Sequence, residues 1–419
     1  MSGFTSSFLQ TLEQRGFIHQ MTDADGIDEK LSAGIVTAYV GYDCTAPSLH
    51  VGNLVSIMML KWLQETGHKP VILLGGGTTR IGDPSGKDQS RQLLDDAAIK
   101  SNMASIKKAF ERFVTFGDGP TDAVMVNNAD WLDSLGYVDF LRLVGPHFTI
   151  NRMLTFDSVK LRLDREQPLS FIEFNYMILQ AYDFVKLAKT ENVSLQMGGS
   201  DQWGNIVNGI ELARRIEGRS LFGLTTPLMT TADGKKMGKS VDGAVWLNDD
   251  ALPAYDYWQF WRNSADADVV RFLKLYTMMD IEEIASIEEA INSGDGKAIN
   301  DAKVRLADEA TALCRGEEAA AKARATAEAT FAGGMGEDLP TITLSTADLA
   351  QGRPIVDLYV DVGLADSKGA ARRLMRQGGA KLNGEAIKDE NRVISADDIK
   401  DGEAKLSAGK KKHARILIG

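Results

Sequence analysis

The sequence predicts a doubly wound, parallel-sheet (Rossmann-like) α/β domain, followed by an all-α domain and a small basic α+β module. Three observations carry this expectation. Residues 35–42 are an apolar, β-branched run, 48–65 follow a helical pattern stopped by Gly67, and 70–74 are a second apolar run ending in Gly75-Gly76-Gly77. Strand, helix and strand in that order form a βαβ unit with parallel strands. The alternation then resumes, with strands expected at 123–126 and 193–197 and helices at 171–186 and 205–216. From 249 to about 331 the pattern is helical throughout, with no strand signal.

Along the chain, residues 1–30 read as an amphipathic helix and a loop that lead into the first strand. The helical stretch at about 130–165 reads as an insertion in the α/β domain, which spans 1–230. Residues 231–247 contain Asp233-Gly234-Lys235-Lys236-Met237-Gly238-Lys239-Ser240. Three lysines and two glycines in so short a span suit a mobile loop that folds over polyphosphate, or a solvated basic turn. The helical domain covers 248–331. Residues 332–352, with Ala-Gly-Gly-Met-Gly and then Pro340, have the composition of a linker. The last module covers 353–419.

The 419 residues fit two to four domains, and 44% hydrophobic with 25% charged residues is ordinary for a globular chain able to enclose a cleft. The two cysteines, Cys44 and Cys314, fit no disulfide or metal spacing, which suggests a reducing compartment. The N-terminus has no basic segment followed by an apolar run, and no stretch approaches the ~18 apolar residues of a membrane helix. A cytoplasmic protein without a membrane partner is expected. The net charge of −11 argues at first against a nucleic-acid partner. Its distribution is uneven, however. Residues 353–419 hold 14 Lys+Arg against 10 Asp+Glu, a net of +4, which leaves −15 on the rest. A basic module on an acidic body suits RNA binding at one end, or a solubilising tail.

The first strand and helix are joined by 39–53, Tyr-Val-Gly-Tyr-Asp-Cys-Thr-Ala-Pro-Ser-Leu-His-Val-Gly-Asn. In an open α/β sheet ligands bind beyond the carboxyl ends of the strands, where a helix N-terminus offers free N–H groups to phosphates. Gly41 and Gly52 let a nucleotide approach the backbone, and Thr45 and His50 can donate to phosphate oxygens. Alone, the tetrapeptide 50–53 would read as a surface helix start with Ser48 as N-cap. In context, His50-Val51-Gly52-Asn53 resembles the His-Ile-Gly-His signature of class I aminoacyl-tRNA synthetases, at the turn that signature requires. Asn53 replaces the second His; it can donate a hydrogen bond but carries no charge. The segment Lys236-Met237-Gly238-Lys239-Ser240 resembles the Lys-Met-Ser-Lys-Ser motif of the same class, with Gly238 in place of the first Ser.

The helix at 171–186 places Tyr176, Gln180 and Asp183 on one face, either as a pocket lining or as a solvent stripe. Residues 171–187 and the run 196–205 (Gln-Met-Gly-Gly-Ser-Asp-Gln-Trp-Gly-Asn) closely resemble bacterial tyrosyl-tRNA synthetases. That resemblance covers essentially the whole chain and is densest at 36–91, 170–205 and 225–246. It implies an ATP-dependent ligase, with Mg²⁺ arriving with ATP and no tightly bound cofactor. It also implies that Tyr39 and Asp183 bond the substrate phenol, that Asp83, Tyr176 and Gln180 hold the α-amino group, and that Gln202 lies near the carboxylate. Gly41, Asp43, His50, Gly52, Asn53, Gly199, Asp201, Lys236 and Lys239 would contact ATP. Of these His50, Asn53, Lys236 and Lys239, together with Thr45, would assist the chemistry. Lys87 and Arg91 resemble a basic pair near the pyrophosphate.

In the last module, residues 367–384 read as a basic helix, a turn and a strand. They resemble the small RNA-binding module first seen in a ribosomal small-subunit protein, which implies RNA contacts by Lys368, Arg372, Arg373, Arg376 and Lys381. The helical domain matches the anticodon-proximal domain of the family. The insertion implies a homodimer interface and, at 147–152, a contact with the tRNA acceptor stem. Partners implied are L-tyrosine, ATP and tRNA(Tyr). Two rival readings stay open: the tryptophanyl enzyme of the same class, and a synthetase-derived RNA-binding protein without catalysis.

Overall fold

The computed structural model describes residues 3–84, 94–234, 237–240, 243–294, 296–331, 339–400, 402–409 and 412–419, with the backbone alone at 157, 158, 239, 240 and 331. Lys87, Arg91, Lys235, Lys236 and residues 332–338 of the expected linker lie outside the described residues, as does the side chain of Lys239. The described chain forms two compact units. One is Met1–Pro253 with Phe260–Arg315, and the other is Ala254–Gln259 with Gly316–Gly419.

The first unit is built on a six-stranded sheet: β1 (Gln20–Met21), β2 (Thr37–Tyr42), β3 (Lys69–Leu74), β4 (Val124–Asn127), β5 (Val193–Gly199) and β6 (Phe222–Thr226). Its order is β1-β6-β5-β2-β3-β4. Strands β2 to β6 pair in parallel and β1 is antiparallel on β6. The sheet grows outward both ways from the β2/β5 pair, so the doubly wound expectation holds, and the topological switch point lies at the carboxyl ends of those two strands. Strands β1 and β6 were not expected: one is two residues long, and the other is short and interrupted by Gly223.

Helices α1 (Ser7–Arg15) and α2 (Ala24–Ala33) precede β2, where one helix and a loop were expected. Helix α3 (Val51–Glu65) connects β2 to β3 and buries Leu54, Ile57, Met58 and Leu60. Helix α4 (Asp96–Phe110) leads to β4. The insertion is four short helices: α5 (Ala129–Leu132), α6 (Tyr137–Val144), α7 (Ile150–Met153) and α8 (Asp157–Asp164). Helix α9 (Phe171–Thr190) opens on a capping box of Ser170 and Glu173 and packs on α10 (Trp203–Glu217). A Cβ at Gly209 of α10 would stand 2.9 Å from the Phe184 ring of α9, so the glycine permits the close approach. The core between helices and sheet includes Tyr39, Val71, Leu73, Phe184, Leu187, Val193 and Leu212.

A two-stranded hairpin, β7 (Lys239–Ser240) and β8 (Gly243–Ala244), follows. Helices α11 (Ala254–Arg262), α12 (Val269–Tyr276), α13 (Ile281–Asn292), α14 (Gly296–Arg315) and α15 (Glu317–Phe331) complete the helical run. The run is not one block, because the units divide at Gly316, a residue with φ +93°.

The second unit carries a five-stranded sheet of order β11-β10-β12-β13-β9, from β9 (Thr341–Leu344), β10 (Ala380–Leu382), β11 (Glu385–Ala386), β12 (Glu403–Ala408) and β13 (Lys412–Ile418). It also holds α16 (Thr346–Gln351), α17 (Ile355–Asp361) and α18 (Lys368–Arg376). This corrects the expected linker at 332–352. Residues 341–344 pair in parallel with β13, and α16 is closed by a capping box between Ser345 and Asp348. The glycines and Pro340 masked a four-residue strand whose ladder partner lies some seventy residues away in the chain.

Candidate active site

Strand β2 is buried along its length except at Gly41, near its carboxyl end. The nearest atom to a Cβ built there is Leu73 Cδ2 at 3.8 Å, so backbone is open to a ligand at that point. The chain then turns into α3, and the N-cap is His50 rather than Ser48. His50 Nδ1 accepts the Gly52 N–H (3.0 Å), and the His50 N–H donates to Asn53 Oδ1 (3.2 Å). Ser48 is buried and bonded to Asn248 Oδ1 at 3.0 Å. The capping geometry assigns Asn53 a local task, holding the His50 backbone. It also sets the imidazole: with Nδ1 accepting, the neutral ring carries its proton on Nε2 and presents a donor. Thr45 is exposed.

The lysine-rich segment meets this turn through two glycines. A Cβ on Gly52 would stand 2.7 Å from the Met237 carbonyl oxygen, and one on Gly238 would stand 2.7 Å from His50 Nδ1. Gly238 has φ +106°, a conformation that disfavours the Ser of the related motif. Beyond the hairpin the chain zips onto the turn, with Val51 N–H bonded to Val245 O and Leu247 N–H to Leu49 O. Residues 50–52 of the first motif and 237–238 of the second are thus brought together.

The face of α9 that carries Tyr176, Gln180 and Asp183 is turned inward and is not a solvent stripe. Asp183 and Tyr176 are buried, and Gln180 is half-buried. Asp183 Oδ1 accepts from Trp131 Nε1 (2.7 Å) and Oδ2 from Asn128 Nδ2 (2.9 Å). Burial pushes the Asp183 carboxyl up to about 7, against the two donors, with the charge of Asp43 adding to the rise. Asn128 also donates to Thr78 Oγ1, Thr78 Oγ1 donates to Asp43 Oδ1, and Tyr176 Oη donates to Asp43 Oδ2. The result is one chain of polar contacts from Trp131 to Tyr176. Next to it Tyr39 is fully buried, its ring edge-on to Phe184 at 5.2 Å, and its hydroxyl has no hydrogen-bond partner among the described residues. Burial first, then Asp183, holds the Tyr39 phenol well above its usual pKa, so it is a neutral donor.

A second network joins Asp83, Gln202 and Gln180. Gln202 Nε2 donates to Asp83 Oδ2 (3.0 Å), and Gln202 Oε1 accepts from Gln180 Nε2 (3.2 Å) and Asn205 Nδ2 (3.1 Å). Gln180 Oε1 is buried without a partner among the described residues, an acceptor left over. Gly199 ends β5 and Asp201 is exposed just beyond it. Asn128, Trp131 and Thr78 were not expected from the sequence. The available signal was position: Asn127-Asn128 follows the strand at 123–126, where ligand-facing residues collect. Cys44 is buried, its thiol pushed up to about 12 chiefly by burial, in keeping with packing. Among the described residues no group of three His, Cys, Asp or Glu side chains could hold a metal ion.

In the second unit, Arg372, Arg373 and Arg376 are exposed on α18. Arg376 Nε lies 3.0 Å from Glu390, which Arg372 approaches at 4.0 Å, and Lys368 pairs with Asp357 at 2.9 Å. Lys381 is half-buried on β10. In the insertion, Arg215 donates to the His147 carbonyl, and the large exposed apolar side chains of the described residues concentrate at Tyr137, Val138, Leu141, Ile150, Leu161 and Phe171. No helix among the described residues is long and apolar enough to cross a membrane.

A doubly wound sheet, a His-capped helix at its switch point and Met237-Gly238 against that cap are the arrangement of a class I nucleotide-binding enzyme. The model of the tRNA synthetases class I (W and Y) matches residues 32–332, and that of the tyrosine–tRNA ligase C-terminal domain matches 331–416. The chain belongs to the class I tyrosine–tRNA ligase family. It is 58% identical over 419 residues to the tyrosine–tRNA ligase of Rhodospirillum rubrum, covering 100% of this chain and 99% of that one. It is 58% identical to that of Zymomonas mobilis, covering 100% of both. A C-terminally truncated mitochondrial tyrosyl-tRNA synthetase of Aspergillus nidulans superposes with a TM-score of 0.70 at 31% identity, over 78% of this chain and 94% of that one.

Proposed function

We propose that this chain activates L-tyrosine with ATP to tyrosyl-adenylate and pyrophosphate, and then transfers the tyrosyl group to the 3′ end of tRNA(Tyr). The observation that carries the choice of amino acid is the buried, unpartnered hydroxyl of Tyr39 beside Asp183. A substrate phenol would accept from Tyr39, whose hydroxyl lacks a partner among the described residues, and donate to Asp183, whose oxygens keep lone pairs beyond those taken by Trp131 and Asn128. Phenylalanine would leave the Tyr39 hydroxyl unsatisfied in a buried site, which costs more than a lost van der Waals contact. An indole N–H could donate to Asp183 but could not accept from Tyr39, which favours tyrosine over tryptophan.

The remaining roles follow the same logic. The Asp83 carboxylate, Gln180 Oε1 and the Tyr176 hydroxyl form the cradle for the α-ammonium, and Gln202 lies near the carboxylate. That carboxylate is ionised at neutral pH and attacks the ATP α-phosphorus without a general base, expelling pyrophosphate. Catalysis is positioning and charge stabilisation. Gly41 and Gly52 let the nucleotide reach the backbone, and Gly199 and Asp201 take the ribose. Asp43, through its bonds to Thr78 and Tyr176, borders both substrates. Thr45, the Nε2–H of His50, and Lys236 and Lys239 stabilise the charge that grows on the phosphates, while Asn53 keeps His50 in place. Magnesium arrives with ATP. In the second step the terminal ribose hydroxyl of tRNA attacks the mixed anhydride and AMP leaves.

The helical run serves as the anticodon-proximal part and the C-terminal module as an RNA-binding one, through Lys368, Arg372, Arg373, Arg376 and Lys381. Residues 147–152 face the acceptor stem. Two copies pair through the exposed apolar face of the insertion, a patch of the kind that marks an interface. The protein works in the cytoplasm.

The test is amino-acid-dependent ATP–pyrophosphate exchange. Tyrosine should support exchange, with tryptophan and phenylalanine weaker by orders of magnitude. Exchange with tryptophan would assign the tryptophanyl activity. Exchange with no amino acid, alongside retained RNA affinity, would favour a non-catalytic RNA-binding protein.

A further inference from the structure

Asp268 precedes α12 at the N-cap position, where an aspartate ordinarily accepts from the first-turn N–H groups of its own helix. It makes no such bond. It is 2% exposed, and Oδ2 accepts instead from the N–H of Ala232, 36 residues earlier, at 2.8 Å. Its other oxygen takes Arg271, whose guanidinium also donates to the Thr230 carbonyl at 2.5 Å. One turn further along α12, the fully buried Tyr276 donates its hydroxyl to Met237 Sδ at 3.3 Å. Residues 230–232 and Met237 are therefore both held from α12 and its N-cap. Met237 is the residue whose carbonyl meets Gly52, and Gly238 after it meets the His50 ring.

Helix α12 is itself tied to the far end of α3. Arg15 donates to the carbonyls of Lys274, Thr277 and Met279 and stacks on Trp62 of α3 at 4.2 Å. The helix that starts at His50 and the helix that grips the lysine-rich segment are thus pinned to each other away from the chemistry. An aspartate freed from capping and buried at this junction has a cost, since its charge is desolvated. That cost has a return if the carboxylate fixes where the lysine segment stands.

We propose that Asp268, supported by Arg271, is a positioning residue for adenylate formation: it anchors the backbone at 230–232 and so sets the lysine-bearing segment against His50. It touches no substrate. The proposal rests on the tyrosine-activating reading above, and it predicts an effect on the phosphate side of the reaction alone.

The experiment is single-turnover tyrosyl-adenylate formation by the full chain, with tyrosine and ATP titrated separately, in the parent, Asp268→Ala, Asp268→Asn and Arg271→Ala. Loss of a buried charged acceptor predicts a fall of about tenfold or more in rate, or in apparent ATP affinity, for Asp268→Ala. Tyrosine affinity should stay within about twofold. Asp268→Asn, which keeps an acceptor oxygen for the Ala232 N–H, should recover most of the loss. A role in stability alone would lower the melting temperature and leave rate and ATP affinity unchanged; that result overturns the proposal, as does an equal loss of tyrosine affinity. If Asp268→Ala does not fold, Arg271→Ala decides, because its side chain is 42% exposed. A smaller loss of the same kind supports the anchor, and parental behaviour refutes it. A parent inactive with tyrosine overturns the activation reading itself, whereas an active parent with indifferent variants overturns only the role of Asp268.

Discussion

The two ends of the site are built on opposite principles. At the proposed phenol end the groups are buried, and Asp183 is bonded in advance: it is held by Trp131 and Asn128, and Asn128 in turn is held through Thr78, which leaves the Tyr39 hydroxyl for a ligand. At the phosphate end the surface is open backbone, with Gly41 exposed, Thr45 exposed and His50 half-buried on its own helix cap. The first end can reject a wrong side chain, because a buried polar group left unpaired is costly. The second cannot discriminate in that way, but it can follow charge as it moves onto pyrophosphate. Identity and rate are therefore separable in this molecule, and substitutions at the two ends should move different constants.

The largest effect is expected from Lys239→Ala. In its proposed role Lys239 is a charge-stabilising donor, and its removal should slow adenylate formation by about 10²–10³ while tyrosine binding persists. Asp183→Ala comes next. It strands the Trp131 and Asn128 donors and removes the phenol's acceptor, so tyrosine affinity should fall on the order of 100-fold, measured by tyrosine titration in the absence of ATP. An equal affinity for tyrosine in both proteins would break the contrast. Gly238→Ala should cost about tenfold in rate, since a Cβ meets His50 Nδ1 at 2.7 Å on a backbone of φ +106°. The last effect is on stability and not on rate or affinity. Asp183 has a folded pKa raised to about 7 from an ordinary 3.8. Between those values the folded state binds more protons than the unfolded one, so stability falls as pH rises through that window. Asp183→Asn should flatten the pH dependence of the melting temperature between about pH 4 and 7.

The comparison also separates what the sequence disclosed from what it hid. Strands β2, β3 and β5 and helices α3, α9 and α10 were legible because long apolar runs alternate with sustained helical periods. Tyr176, Gln180 and Asp183 fell on one face by spacing alone. The cap of α3 was not legible, because serine is the generic expectation and His50 takes the position only through its bond to Gly52 and the return bond from Asn53. Asn128 and Trp131 were missed because their bonds to Asp183 span 55 and 52 residues, which leaves no local pattern. Strand β9 was hidden likewise, since it pairs with β13 some seventy residues further along the chain. Local periodicity shows the scaffold, and the polar network that orients Asp183 depends on contacts that only folding creates.

The most direct test of the account is single-turnover adenylate formation by Lys239→Ala across a range of tyrosine concentrations. The account predicts a maximal rate reduced by about 10² or more, with half-saturation at the parental tyrosine concentration within about twofold. A half-saturating concentration that rises in step with the loss of rate would contradict it, because the two ends would then act as one.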